Sequence, residues 1–311
     1  MSYFPSNLTE YAPFQKGVYM NYQQFVIAVK EKLEKILGDD MNVEIITTLK
    51  NNGQERVGLS ISDKRVNISP TIYLEEYYEQ FERNYTIEGI AESVSELYQE
   101  VRFEHTWEVN VIQDFSQIKS KIVYKLINAE KNETLLTTLP HITYLDFAIV
   151  FYILFEADSS GTATIPITNE LIKLWNTHTK ELYDAAQENT QKLLPAEFKP
   201  MHVVICELLK TRSYELVEDS PLYVLTNSLR CFGACCILYD DMLKEIGKEL
   251  GENYYIIPSS IHEMIIVPES KSPSRDELDE MIVEINETQV SPEEVLSDCA
   301  YYYDCENNLL A

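Results

Sequence analysis

Glycine is scarce in this chain, with 9 in 311 residues. No GxGxxG, GxxxxGKS/T, GxSxG or HExxH string occurs, which removes the familiar phosphate-cradling loops, the hydrolase nucleophile elbow and the zincin helix. Basic residues are few as well, 25 Lys and Arg against 51 Asp and Glu, for a formal charge of -26. A surface this negative repels phosphate, so direct binding to nucleic acid or to an anionic membrane is not expected. Long hydrophobic runs are also missing. The longest is Phe147 to Phe155, about half of the ~20 residues that span a bilayer as a helix, and it reads as a buried strand. The start, MSYFPSNLTEYAPF, lacks the basic and apolar regions of a signal peptide, so a cytoplasmic location is expected.

Six cysteines, at 206, 231, 235, 236, 299 and 305, are too few to imply a disulfide framework in a chain of this size. Cys231-x3-Cys235 is half of a zinc site with no second CxxC or HxxxH to complete it. Neither a metal nor another cofactor is expected.

Hydrophobic residues make up 45% of the chain and aromatics 11%, enough to bury a core against the entropy of ordering the backbone. The acidity is uneven. Pro70 to Glu108 holds 10 acidic and 2 basic residues, and Glu269 to Ala311 holds 12 and 2. Two readings stand side by side: charge that keeps the protein soluble, or a face that attracts a basic protein partner or imitates nucleic acid. Like-charged surfaces repel each other, which favours a monomer or weak dimer.

Apolar spacing predicts a helix over Asn21 to Leu37 that ends near Gly38. Strands at Val43–Leu49 and Val57–Ile61 flank Asn51-Asn52-Gly53, a hairpin signal because Asn and Gly accept positive φ. Helices are expected after Ser69-Pro70, over Ile87–Val101 and over Ser116–Ala129. From Tyr144 onward the pattern becomes hairpin plus helix, three times. The first unit is Phe147–Glu156 and Thr162–Ile167 around Asp158-Ser159-Ser160-Gly161, then a helix over Thr168–Leu193. The second is Leu222–Thr226 and Gly233–Tyr239, preceded by a helix over Met201–Lys210 and followed by one over Asp240–Leu250. The third is Tyr254–Ile257 and Ile261–Val267, then a helix over Ser274–Asn286. Short turns force antiparallel pairing, so the fold class is α+β, an antiparallel sheet built from hairpin-plus-helix units behind an amino-terminal helical and hairpin region. Residues 129–140 are the weakest joint, and a boundary between 1–135 and 136–311 is expected there unless the chain is one domain.

The candidate binding cluster is His262, Glu263, Asn227, Asn189 and Cys235. His262-Glu263 lies in PSSIHEMIIVP, where strand alternation sends the two side chains to opposite faces. A His beside Cys235 or Cys231 would give a nucleophile and a base, while a His at a tight hairpin commonly fixes the turn by bonding backbone. Tyr77, Tyr78, Phe81 and Tyr85 repeat near a helical period and read as core, and Tyr301-Tyr302-Tyr303 as a final edge strand or an exposed docking segment. No catalytic residue emerges. The leading expectation is a non-enzymatic acidic interaction protein, possible roles being a mobile-element accessory or a nucleic-acid mimic. The alternative is an enzyme with a site on the carboxy-terminal sheet near His262.

The strings NISPTIYLEEYYEQF from Asn67, KIVYKLINAEKN from Lys121, FYILFE from Phe151, NTQKLLP from Asn189, PLYVLTN from Pro221, PSSIHEMIIVP from Pro258 and QVSPEEVLSD from Gln289 resemble an uncharacterised bacterial family, a domain of unknown function frequent in anaerobic gut Firmicutes and often near mobile-element genes. The resemblance spans nearly the whole chain. It implies a cytoplasmic bacterial protein and supplies no activity, cofactor or catalytic residue. The family is also distantly similar to a second uncharacterised family in bacilli.

Overall fold

A computed structural model describes residues 20–63, 70–101, 112–158, 161–209 and 222–311. The irregular amino terminus and the Ser159-Ser160 turn expected from sequence lie outside the described residues. The chain forms two compact units. The first takes Met1–Thr48 and Arg56–Trp107, and the second takes Leu49–Glu55 and Glu108–Ala311. The interval 129–140, where a boundary is expected from sequence, runs inside the second unit.

In the first unit, helix α1 (Tyr22–Leu37) opens with a capping box. The Asn21 side chain accepts from the Gln24 amide at 2.9 Å, and the Gln24 side chain accepts from the Asn21 amide at 3.1 Å, satisfying donors that a helix start leaves orphaned. Gly38 ends it with φ 78. Strands β1 (Met41–Leu49), β2 (Glu55–Asp63) and β3 (Thr71–Tyr73) form a sheet in that order, and helices α2 (Glu75–Glu82) and α3 (Ile87–Val101) follow. In its core Phe25, Val29 and Leu33 of α1 meet Leu59 and Ile61 of β2, Leu74, and Ile90, Val94 and Tyr98 of α3. Phe25 lies 5.2 Å from Tyr78 and 5.3 Å from Phe81 between ring centroids. Tyr78 and Phe81 therefore serve the core as the spacing predicts, but Tyr85 is exposed. The helix expected directly after Pro70 begins at Glu75, because Thr71–Tyr73 is taken up by pairing with Gly58–Ser60 of β2.

The second unit holds two antiparallel sheets. In one, β6 (Phe147–Asp158) is central, with β4 (Ile122–Asn128) on one side and β5 (His141–Tyr144) and then β7 (Gly161–Pro166) on the other. The other runs β13-β12-β10-β11-β9-β8, built from β8 (Ala196–Pro200), β9 (Tyr223–Asn227), β10 (Tyr254–Ser260), β11 (Glu263–Pro268), β12 (Tyr301–Asp304) and β13 (Leu309–Leu310). One core joins them, with Tyr124, Phe147, Phe151 and Ile153 of the first sheet and Leu225, Tyr254, Met264 and Ile266 of the second. Short helix α4 (Phe115–Ile118), helix α5 (Glu133–Leu136), α6 (Asn169–Trp175), α7 (Thr179–Leu193), α8 (Met201–Leu209), α9 (Met242–Leu250) and α10 (Arg275–Thr288) complete the unit. Among the described residues no helix is long and apolar enough to cross a membrane.

Antiparallel sheets with helices on them bear out the α+β class, while several elements differ from expectation. The helix expected over Ser116–Ala129 stops at Ile118, and Ile122–Asn128 is a strand with all seven residues buried. Ile118, Ile122 and Leu126 recur every four residues, a spacing that fits a helical face and, being a multiple of two, also one face of a strand. Pairing with β6 decides between them. The strand expected at Gly233–Tyr239 is a 3-10 helix over Gly233–Leu238, so β9 pairs instead with β8 and β11. The single helix expected over Thr168–Leu193 breaks at Asn176, which turns left-handed with φ 51, a conformation Asn tolerates. Thr168 caps its start. Tyr301–Asp304 is an interior strand, because Leu309–Leu310 takes the edge.

Candidate functional site

The β10–β11 hairpin places Ile256 opposite Ile266 and Ile257 opposite Ile265, and its register shifts between Pro258 and Ser260. That bulge leaves His262 in the turn rather than in a strand, so alternation no longer governs where it and Glu263 point. The Ser260 hydroxyl accepts from the His262 amide at 3.0 Å. The His262 carbonyl accepts from the Thr226 hydroxyl at 2.8 Å, and its Nδ1 accepts from the Phe232 amide at 3.1 Å. The turn thus grips the loop that follows β9.

Asn227 builds that loop. Its side chain is fully buried; Oδ1 accepts from the amides of Leu229 at 3.1 Å and Cys231 at 3.3 Å, and Nδ2 donates to the Cys231 carbonyl at 2.8 Å. Gly233 is required at the exit, because a Cβ there would stand 2.2 Å from Thr226 Oγ1 and 2.6 Å from the His262 carbonyl oxygen. Arg230 (φ 52) and Phe232 (φ 57) are both left-handed, a region that costs bulky L-residues roughly 1–2 kcal/mol each. Two strained residues therefore flank Cys231, and strain of this kind collects at functional sites.

Glu294 Oε1 lies 3.6 Å from His262 Nε2, an electrostatic contact too long for a hydrogen bond. Burial pulls His262 toward the neutral form, but Cys231 and Glu294 outweigh it and hold the ring above the ordinary imidazole range. The Phe232 amide opposes charging, since an imidazolium has no lone pair at Nδ1. Burial raises the Glu263 carboxyl, with His262 and Arg230 pulling it back. Arg230 itself pairs with Glu207.

Aromatic stacking extends the site. Phe232 stacks on His262 at 5.6 Å and on Tyr152 at 6.1 Å between centroids. The Lys125 ammonium sits 4.2 Å from the Phe232 centroid and 4.4 Å from that of Tyr152. Lys125 is 9% exposed, and among the described residues these rings are its contacts, with no carboxylate or carbonyl beside it. Ring faces carry negative quadrupole charge and hold a cation.

Of the five residues named from sequence, His262, Glu263 and Asn227 come together here, though the Asn227 side chain is consumed by the loop. Cys235 lies behind them, fully buried; burial and then Cys236 push its thiol well above the ordinary range, so it is no nucleophile. Asn189 is elsewhere on α7, donating to the carbonyls of Lys119 at 2.7 Å and Ile122 at 3.0 Å. Lys125, Phe232 and Glu294 carry no local signal in sequence. Only tertiary pairing brings them to the hairpin. Among the described residues no three His, Cys, Asp or Glu side chains gather closely enough to hold a metal ion.

Two amides that an oxyanion would need are spent, Cys231 on Asn227 and Phe232 on His262. The site therefore lacks the paired donors of acyl-transfer enzymes. Residues 22–305 match the model of a family of unknown function, DUF5688. The chain belongs to that family. No curated protein and no solved structure matches it.

Proposed function

We propose that the chain is a non-enzymatic interaction protein that docks a basic, amphipathic segment of a protein partner. The observation that carries the reading is the outer face of α10. Leu278 and Ile282 pack inward on Ala300, while Met281, Val283 and Ile285 are 50%, 40% and 45% exposed. Around them Asp276, Glu277, Glu280, Glu284 and Glu287 face solvent. Scattered exposed apolar residues need no explanation, but Met281 and Ile285 stand one helical turn apart with carboxylates around them, and together these match a ligand with apolar and basic faces. The net charge of -26 would speed such an encounter, most strongly at low salt.

Titration of the full chain with a synthetic Lys/Leu amphipathic helix tests this. Binding should weaken as salt rises, and Met281→Ala with Ile285→Ala should weaken it at constant charge. Equal binding by that double variant would leave only general charge attraction and sink the reading. Inhibition of a DNA-binding nuclease by the protein would redirect it to nucleic-acid imitation.

A further inference from the structure

The sheet that carries the β10–β11 hairpin ends in two edges. One is β13, Leu309–Leu310; the other is β8, Ala196–Pro200, which among the described residues pairs with β9 alone. Independently of the docking face on α10, we propose that β8 is the seam of a homodimer, in which two copies of the chain pair these strands antiparallel about a twofold axis at Phe198.

The backbone sets the register. The Ser228 amide donates to the Pro195 carbonyl and the Met201 amide to the Leu222 carbonyl, both at 2.9 Å, and between them β8 follows β9 without a bulge. Peptide groups of alternate residues face the partner in an antiparallel pair, so those of Glu197 and Lys199 face β9. The amides and carbonyls of Ala196 and Phe198 turn outward, together with the Pro200 carbonyl. Two such edges match when Phe198 meets Phe198 of the second copy. Each Phe198 amide then donates to the other's carbonyl, and each Ala196 amide to the opposite Pro200 carbonyl. Pro200 has no N–H to leave unpaired.

The side chains select the same register. Glu197 and Lys199 share one face of the strand, and pairing about Phe198 sets each Glu197 directly opposite a Lys199, at the closely spaced position of the ladder. A slip by two residues either way sets Glu197 opposite Glu197 or Lys199 opposite Lys199.

Local charge permits the approach. The chain carries -26, and copies of it repel over most of their surface. From Asn189 to Tyr214, however, the basic residues are Lys192, Lys199, Lys210 and Arg212 against Glu197 and Glu207. Lys199 lies 3.1 Å from both Glu197 and Glu207, and Arg230 also pairs with Glu207, so these carboxylates are balanced before a second copy arrives. Helix α8 adds Ile205, Leu208 and Leu209, which are 41%, 42% and 66% exposed and share a stripe by their spacing. This helix contacts both β8 and β9. With strands about 4.8 Å apart, the twofold axis would bring two α8 helices to about 10 Å from each other on one face of the joined sheet, near the distance at which helices pack.

Sedimentation velocity of the full chain tests this at about 0.15 M salt, where long-range repulsion is screened. The mass should double as concentration rises to about 100 μM, the range of a weak association. Glu197→Lys sets Lys opposite Lys and Lys199→Glu sets Glu opposite Glu, so each variant should weaken the dimer roughly tenfold or more. An equimolar mixture of the two variants restores opposite charges across the seam and should dimerise like the wild type. Circular dichroism checks that each variant is folded; if Lys199→Glu is not, the wild-type chain and Glu197→Lys decide. A chain that stays monomeric at about 100 μM, a dimer equally strong in Glu197→Lys, or a mixture of folded variants that associates no better than either alone overturns the proposal.

Discussion

The two units of this protein are built on different chemistry. The first buries side chains such as Phe25, Leu33, Leu59 and Val94, and its helices and hairpin are close in sequence. The second buries Tyr124, Tyr239, Tyr254, Cys235 and Cys236 within its core, and its strands pair in an order unlike their order along the chain. Local pattern suffices to specify the first kind of unit. The second needs contacts between distant segments and buries two thiols, which titrate at lower pH than the tyrosines found in both units and tie its stability to pH.

The comparison can be broken first at the cores. Phe25→Ala in the first unit and Ile266→Ala in the second remove fully buried side chains and should each cost about 2–5 kcal/mol through lost burial and the cavity left behind. Amide hydrogen exchange should show lost protection confined to the unit carrying the change. Loss of β4 and β6 protection in Phe25→Ala would merge the two units into one.

A smaller effect sharpens the account of the hairpin. His262→Ala leaves the Phe232 amide without its acceptor and unstacks Phe232, so thermal unfolding should report a loss of about 1–3 kcal/mol. Unchanged melting would mean that His262 does not hold the loop.

Alkali should separate the units without mutation. Burial pushes the Cys236 thiol up to about 12, against about 8.5 for a free thiol. The native state therefore holds this proton more tightly than the unfolded state. Its stabilising effect is complete below the unfolded value and is lost as pH rises through the folded one. Burial also raises Tyr124 and Tyr239, adding to the same trend. From Cys236 alone, exchange protection in the second unit should fall by about 2 kcal/mol from neutral pH to roughly pH 10, at about 1.4 kcal/mol per pH unit above the free value; Cys235, also raised by burial, adds to the loss, while α1 and α3 change less. Equal losses in both units would contradict the contrast.

The smallest expected effect is common to both. Asn21→Ala and Ser274→Ala each remove one capping box and should cost about 1 kcal/mol apiece, measured by denaturant unfolding. A clear inequality would show that one helix leans on its cap more than on its packing.

These expectations follow how legible each element was. Helix α1, its Asn21 start and its Gly38 end, the Asn51-Asn52-Gly53 turn, the helix from Ser274 and the PSSIHEMIIVP hairpin all rest on interactions within a few residues, and all are readable in the sequence. The Ser116–Ala129 segment was misread because its every-fourth apolar residues serve either period. Strand β8 went unread because Ala196–Pro200 lacks an apolar run and gains its form from β9. Three members of the hairpin cluster were named from sequence, since His262, Glu263 and Asn227 sit near turns where polar side chains stand out. Lys125 and Glu294 did not stand out, as a lone Lys in an apolar strand and a Glu among acids look like ordinary surface.

By itself the sequence determined the acidic balance, the α+β class, the capped helices and the hairpins, because charge is additive and these structures form from hydrogen bonds and side-chain spacing within short segments. The tertiary structure alone decided that Ile122–Asn128 is a strand, that Gly233–Leu238 is a helical turn, and that Phe232, His262 and Glu294 meet. Those outcomes depend on which distant segment covers each surface, and pairing between segments far apart in the chain leaves no periodic trace in either partner.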